Sequence, residues 1–489
     1  MRSPSLRTAM ILVGVLVAVW ASLATDARST YGAQLSADEP QYVLSAISLA
    51  EDRSLDISDE LAERRWRAFH EAPLPRQTEP YDDGRELSPH DPLLPLLLAV
   101  PVAVGGWVGA KLALAALAGA LAAALMWVAV RRFAVPTGVA AGVVLAFGAA
   151  APLVAYGTQI YPELPAALAV TGAVAALTGP LRARGLVLLV AAVLALPWLA
   201  AKYVPVAAAL AVVGLVALWR RGDRRALLGT VAVLALGGVA YLAVHQAIYE
   251  GWTVYAAGDH FVGGEATVMG VSPDYPSRTG RLYGLLVDRG FGLVAWAPVF
   301  LLALPALGAL GLRRPVGWVA LALPLAAGWL TATFAALTMH GYWWPGRQVV
   351  VVVPLVVLAV AWWAGRVAAA RPWLGVAGVL GAGTWAWVVA EVHLGRLALM
   401  IDFERTTAPT WRLWRLVLPD HRNPDQLTPF LDAAWLLVLG ALVVVGWRTV
   451  RAAPGGARSA PTSTTDPDSG ADPAPDHAAP TGGRRTVPA

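Results

Sequence analysis

Few residues in this sequence can do chemistry, and most of them sit beside long apolar stretches. Ser36-Ala37-Asp38-Glu39-Pro40-Gln41-Tyr42 sets two adjacent carboxylates just past the first such stretch. One of them can act as a general base that takes the proton of a hydroxyl acceptor. Asp38 also suits the N-cap of a helix entering at Pro40, and capping and catalysis need not exclude each other. A third carboxylate, Glu163 of Tyr161-Pro162-Glu163-Leu164-Pro165, falls in a short turn between apolar segments. A carboxylate at that depth is costly unless it meets water, a cation or a donor, although a charge at a helix start also favours the dipole.

The cations are as selective. Lys111 and Lys202 are the only lysines, and each stands at the end of an apolar stretch, as does Arg347 in His340-Gly341-Tyr342-Trp343-Trp344-Pro345-Gly346-Arg347. Together the three suit an anionic lipid headgroup, with phosphate the obvious ligand. Taken singly, each reads as a residue snorkelling to the interface, with Trp343 and Trp344 as belt aromatics. Tyr42, Tyr161, His340 and Trp344 flank these charges and are candidate contacts to a sugar or an acceptor. His260, His340, His393 and His421 show no helical metal spacing, so each reads first as structural or interfacial. A carboxylate site built on Asp38, Glu163 or His340 keeps a divalent cation open as an expectation. No Gly-rich phosphate loop is present, so the energy must come from an activated substrate or an ion gradient.

These residues need an all-helical membrane scaffold to place them. Of 489 residues, 57% are hydrophobic and 14% charged, with a mean hydropathy of +0.59. That excludes a soluble enzyme, a fibrous protein and a disordered one. The absence of cysteine removes disulfides, thiolate catalysis and cysteine metal sites. The net charge of +5 is arginine clustered between apolar runs, and no nucleic-acid partner is expected. Twelve spans are expected at 9–25, 107–130, 137–156, 164–178, 186–200, 203–219, 226–248, 291–312, 316–338, 348–366, 372–393 and 431–449, each near the roughly 20 residues a bilayer requires.

Arginine pairs and runs fall in every second connection, from Arg131-Arg132 and Arg182/Arg184 to Arg220/Arg221/Arg224/Arg225, Arg313-Arg314 and Arg366/Arg371. By the positive-inside rule those connections and both termini are cytoplasmic. The first span is read as a retained anchor. Within a membrane domain over 1–450, the first external loop (26–106) carries fifteen acidic residues and seven arginines between Asp26 and Asp91. Short helices are expected there at 39–51 and 58–70, and an interfacial one from Pro92 to Val104 that Gly105 and Gly106 end. Further external loops are expected at 249–290 and 394–430, and 451–489 as a disordered cytoplasmic tail.

Taken together, these residues resemble the GT-C class of membrane glycosyltransferases, in particular the lipid-linked-sugar-dependent group that includes protein O-mannosyltransferases and aminoarabinose transferases. The resemblance rests on Asp38-Glu39-Pro40 with Tyr42, the Pro-Leu-Leu-Pro-Leu-Leu-Leu run from Pro92, Lys111 opening the second span and Arg131-Arg132 closing it. Glu163, Leu196-Pro197 before Lys202, and Trp343-Trp344-Pro345-Gly346-Arg347 complete it. It covers about 1–370 and is strongest in 30–210. Two features depart from the group: Arg347-Gln348 stands where it has Arg-Tyr, and no sizeable soluble domain follows the last span. The resemblance implies inverting transfer of a sugar from a polyprenyl-phosphate carrier to an acceptor on the extracytoplasmic face of a bacterial plasma membrane. Asp38 would be the base, Lys111, Lys202 and Arg347 would steady the departing phosphate, and Glu39 and Glu163 would orient hydroxyls or hold a metal. The competing class is a transporter or flippase of an envelope precursor, for which twelve spans is also a common count.

Overall fold

A computed structural model describes residues 5–75, 77–258 and 264–452. Within that range every regular element is helical, and extended backbone pairs only in isolated bridges such as Ala33 with His70 and Asp56 with Leu87. Helices follow from the composition, because apolar chain in lipid must satisfy its backbone groups within the segment. Seven helical stretches among the described residues are long and apolar enough to cross a membrane: Leu93–Phe133, Ala201–Arg220, Arg224–Ala257, Trp318–Ala335, Arg347–Arg366, Ala368–His393 and Thr428–Ala452. Five shorter apolar helices, Leu6–Ser22, Thr137–Gly148, Glu163–Leu177, Ala183–Leu199 and Pro298–Arg313, lie on the other expected stretches.

Several expected elements are interrupted. The expected 291–312 segment begins with a separate turn, Leu293–Trp296, then opens at Ala297 before Pro298, and resumes through a 3₁₀ turn into Ala303–Arg313. The expected 137–156 segment stops at Gly148 and restarts beyond Pro152 as Leu153–Tyr156. Proline, lacking an N–H, explains both breaks. The expected 58–70 helix is two pieces, Ser58–Ala62 and the 3₁₀ turn Arg65–Ala68, because Arg64 between them takes a left-handed conformation (φ 59°). The break at Gly105-Gly106 is present: Gly106 has φ 58° and ψ −150°, open to glycine and strained for other residues. The tail expected to be disordered lies, from residue 453 onward, outside the described residues, as does His260.

Small residues let the helices close on one another. The first helix runs against 107–133 with Gly14 and Gly119 facing. A Cβ on Gly119 would stand 2.5 Å from the Gly14 carbonyl oxygen, so the two backbones meet directly. The Arg347–Arg366 stretch is central, its apolar window 89% buried.

The helix ends sort by charge. Arg132 Nε donates to the Ala175 carbonyl (3.2 Å), Arg221 Nη1 to Pro180 (2.6 Å) and Arg313 Nη2 to Val450 (2.6 Å), so basic ends neutralise C-terminal carbonyls of neighbouring helices. Glu163, Lys202 and Arg347 begin helical stretches whose far ends are Leu177, Arg220 and Arg366. The candidate chemistry therefore gathers at the end opposite the arginines.

Candidate active site

Asp38 occupies the N-cap position of Glu39–Glu51 by its backbone, its carbonyl accepting from Gln41 and Tyr42, but its side chain caps nothing. The carboxylate turns outward to Arg347, whose Nη2 donates to Oδ2 at 2.7 Å. The same guanidinium donates through Nε to Glu163 Oε1 at 3.0 Å, and Lys202 Nζ donates to that oxygen at 2.7 Å. Four residues from four distant segments thus form one alternating chain, Asp38–Arg347–Glu163–Lys202. Glu163 is fully buried in the first turn of its helix, so the dipole and the ion pairs act together. Tyr161 supports Arg347 from beneath, its ring centroid 4.0 Å from the guanidinium carbon, with Trp343 at 5.0 Å.

Left-handed backbone precedes both members of the Asp38–Arg347 pair. Ala37, immediately before Asp38, has φ 52°, and Gly346, immediately before Arg347, has φ 88°. A Cβ on Gly346 would also come within 2.6 Å of the Leu293 side chain. For Ala37 such a conformation persists only where the surroundings fix it, and the two turns lead into side chains that meet each other.

Asp38, Lys202 and Arg347 line a cavity of about 510 Å³, a volume suited to a small ligand. Tyr42, stacked on His90 with centroids 4.5 Å apart, lines it as well, and so do Gln77, Asp91, Tyr203 and Tyr255. Opposite the charges the wall is apolar, with Val206, Val254 and Met269, and the π-helical turn Thr331–Ala335 adds Thr331 and Ala335. Such turns recur at functional sites. Burial raises the Asp38 carboxyl, but the charge of Arg347, helped by His90, outweighs it and holds the group at about 2. A second cavity, of about 1160 Å³, is almost wholly apolar and lies between 93–128 and the helices Glu163–Leu177 and Ala183–Leu199, with Leu97, Leu168, Leu188 and Leu199 in its wall.

Other expected residues stand elsewhere. Glu39 is buried and accepts from the backbone N–H groups of Ile160 (2.9 Å) and Ser36 (3.1 Å), so it staples the loop after the first helix to the turn before Glu163. Lys111 is buried and donates to the Gln34 carbonyl at 3.1 Å, outside the cavity lining. Of the three cations expected on one phosphate, Lys202 and Arg347 share the cavity and Lys111 does not, its amine ending at Gln34. Tyr161 is buried under Arg347 and does not reach the cavity. Trp344 is core, edge-on to Trp296 and Trp385. His340 belongs to another group: its Nε2 lies 3.8 Å from Asp288 Oδ1, and Asp288 Oδ2 faces His421 Nδ1 at 3.2 Å. His421 Nε2 in turn meets Asp432 Oδ1 at 2.9 Å. Among the described residues no three metal-ligating groups converge at the cavity, and Asp38 and Glu163 face a guanidinium instead. The arrangement does not fit the divalent-cation site drawn on Asp38, Glu163 and His340.

Asp91 is the residue the sequence reading missed most. Its Oδ2 accepts from the Ala201 N–H (2.9 Å), pinning the turn that carries Lys202, while Oδ1 accepts from the Tyr241 hydroxyl (2.9 Å). The available signal was Asp91-Pro92 at the head of the apolar run, which reads as a helix start. Chemically, the site offers a carboxylate that stays ionised, two cations beside it, and apolar residues in the same wall.

No family model matches the chain, and no curated protein matches it. Among solved structures it is similar to that of ArnT from Cupriavidus metallidurans bound to undecaprenyl phosphate, at 14% identity and a TM-score of 0.48, over 89% of this chain and 77% of that one. It is also similar to ArnT from the same organism in the apo state, at 15% identity and a TM-score of 0.47, over 90% and 78%.

Proposed function

We propose that this chain is a GT-C class glycosyltransferase of a bacterial plasma membrane, moving a sugar from a polyprenyl-phosphate carrier to a hydroxyl of an extracytoplasmic acceptor. The observation that carries the reading is the Asp38–Arg347–Glu163–Lys202 chain opening on one cavity. A base lies beside two cations, which is what breaking a sugar–phosphate bond requires. Asp38 takes the acceptor proton, the acceptor oxygen attacks the anomeric carbon, and the bond from that carbon to the phosphate oxygen breaks with inversion. The charge left on the polyprenyl phosphate falls on Arg347 and Lys202, where fixed donors act strongly in a water-poor site.

The resting pairing has a consequence for the base. With its carboxyl held at about 2, Asp38 is always ionised but weakly basic. A phosphate bound at Arg347 draws the guanidinium away, so donor binding raises the basicity of Asp38 at the step that needs it. Glu163 keeps both cations in place, and the apolar groove between 93–128 and its neighbours suits an isoprenoid tail. In this reading the chain crosses the membrane twelve times, with both termini cytoplasmic and the site outside. The segregation of basic helix ends from the site supports it.

The test is a mass-spectrometric comparison of lipid-linked sugars and envelope glycans between a deletion strain and its parent. Accumulation of one polyprenyl-phosphate sugar, reversed by the wild-type gene and not by Asp38→Asn, is expected. Unchanged pools of both classes would contradict the assignment.

A further inference from the structure

A groove on the far side of the molecule shares no residue with the two cavities described above. It lies between the helices Thr137–Gly148 and Arg371–His393, has a volume of about 590 Å³, and is apolar except at one end, where Arg371 lines it. The helices run parallel and touch in their later turns: a Cβ on Gly378 would stand 2.6 Å from the Ala146 Cβ, and one on Gly381 would stand 2.9 Å from the Ala150 Cβ. Toward their starts they leave room, since a Cβ on Gly138, Gly142 or Gly375 meets nothing within 4 Å. Missing side chains therefore make the groove. Its wall runs from 138 to 149 on one helix and from 371 to 382 on the other, about 16 Å at a rise of about 1.5 Å per residue. That is about half of a hydrocarbon core of roughly 30 Å, the depth of one leaflet.

The mouth of the groove is positive. Both helices begin there, so both turn the positive end of their dipole toward it, and Arg371 opens one of them. Arg371 Nε donates to the Ala364 carbonyl (3.2 Å) and Nη2 to the Gly365 carbonyl (3.4 Å), while Arg366 Nη1 donates to Trp362 (3.1 Å). These carbonyls hold the two guanidiniums on one helix end and leave their full charge in place. Neither 131–150 nor 353–390 contains a carboxylate to offset it. Trp373, 68% exposed in the same turn as Arg371, suits the headgroup level of a bilayer. We infer that this groove binds an anionic glycerophospholipid, with one acyl chain between the helices and the phosphate at Arg371. Basic pockets between membrane helices recognise anionic headgroups, and a guanidinium can grip a phosphate through two donors. A second copy of the chain is the poorer occupant, because a symmetric pair would set the same concave wall and the same arginines against each other. The site is separate from the transfer cavity and does not depend on the proposed activity.

The experiment uses the full-length protein, delipidated in detergent and titrated with phosphatidylglycerol or phosphatidylcholine while native mass spectrometry counts bound lipid and thermal unfolding is followed. Phosphatidylglycerol is expected to bind the wild type more tightly and to raise its unfolding temperature saturably by several degrees. Arg371→Gln should weaken phosphatidylglycerol by roughly tenfold or more and leave phosphatidylcholine as it was. Gly142→Leu fills the groove and favours the helix, so it should weaken both lipids without loss of fold and guards against misfolding of the arginine variant. Gly229→Leu, equally open on the helix Arg224–Tyr249 and outside the groove, should bind as the wild type does. If the wild type binds the two lipids alike, or if Arg371→Gln and Gly142→Leu keep wild-type affinity for phosphatidylglycerol, the site is refuted. Conversion of a dimer to a monomer by Gly142→Leu, with lipid binding unchanged, would assign the groove to a second copy instead and equally overturn it.

Discussion

Two ionic networks gather at the ends of this fold's apolar helices, and they differ in what faces them. Asp38–Arg347–Glu163–Lys202 borders an open cavity, and the Arg347 guanidinium is shared between two carboxylates. Asp288–His421–Asp432 is closed. The Asp288 carboxylate also accepts from the backbone N–H groups of Gly290, Phe291 and His421, and none of the three residues lines that cavity. Buried ion pairs of either sort are weak evidence for stability by themselves. The difference is that Arg347 of the first network borders open space, where the proposed function has an anion exchange partners with it, while the second has spent its donors on holding 288–291 to the segment 420–432. One network is suited to a ligand, the other to a joint.

The strongest way to break this contrast is Asp38→Asn. The amide keeps the side-chain volume and cannot accept the proton, so transfer measured with membrane preparations should fall roughly 10²- to 10⁴-fold with protein abundance unchanged. His421→Gln should leave transfer within about twofold, since the group lies off the cavity. Equal losses in both variants would erase the distinction.

Next in size is the effect of Lys202→Met on binding of a polyprenyl-phosphate analogue. The apolar stem survives and the charge is lost, and a charge-assisted contact of about 1.5–3 kcal/mol corresponds to roughly ten- to a hundredfold weaker binding. An unchanged Kd would mean that Lys202 serves Glu163 alone.

The closed network should answer to pH. Burial disfavours charge on His421, but Asp288 and Asp432 outweigh it and raise its pKa. A raised folded-state pKa gives stability that is fully present below the ordinary histidine value near 6.5 and lost as pH rises through the raised one. His421→Gln should therefore lower the unfolding temperature at pH 6, by about 1–3 kcal/mol of stability, and much less at pH 9. A deficit independent of pH would show that the histidine packs without carrying charge.

The smallest effect is the one expected of Lys111→Met. Because Lys111 donates to the Gln34 carbonyl and lies outside the cavity lining, analogue binding should stay within about twofold of wild type, against the larger loss for Lys202→Met. Matching losses would restore the three-cation headgroup site.

The helices were legible because apolar runs of bilayer length have one stable conformation in lipid. Asp38, Glu163, Lys202 and Arg347 were legible for a related reason: charge at an apolar edge is costly, so its presence needs a use. What periodicity could not give was direction. Lys111 satisfies the same rule as Lys202, yet its amine ends on a loop carbonyl, and His340 and Trp344, a few residues from Arg347, turn into a histidine–carboxylate joint and an aromatic core. Asp91 escaped because its partners, the Ala201 N–H, the Tyr241 hydroxyl and the His245 ring 3.3 Å away, are all distant in sequence.

The central claim is that Arg347 exchanges Asp38 for a lipid phosphate. Native mass spectrometry of the purified protein with polyprenyl phosphate, comparing wild type, Arg347→Gln and Asp38→Asn, tests it most directly. The account predicts that Arg347→Gln loses the lipid by roughly ten- to a hundredfold in affinity, whereas Asp38→Asn, with the competing carboxylate gone, retains it as well as wild type or better. Lipid retained by Arg347→Gln at wild-type affinity would contradict it.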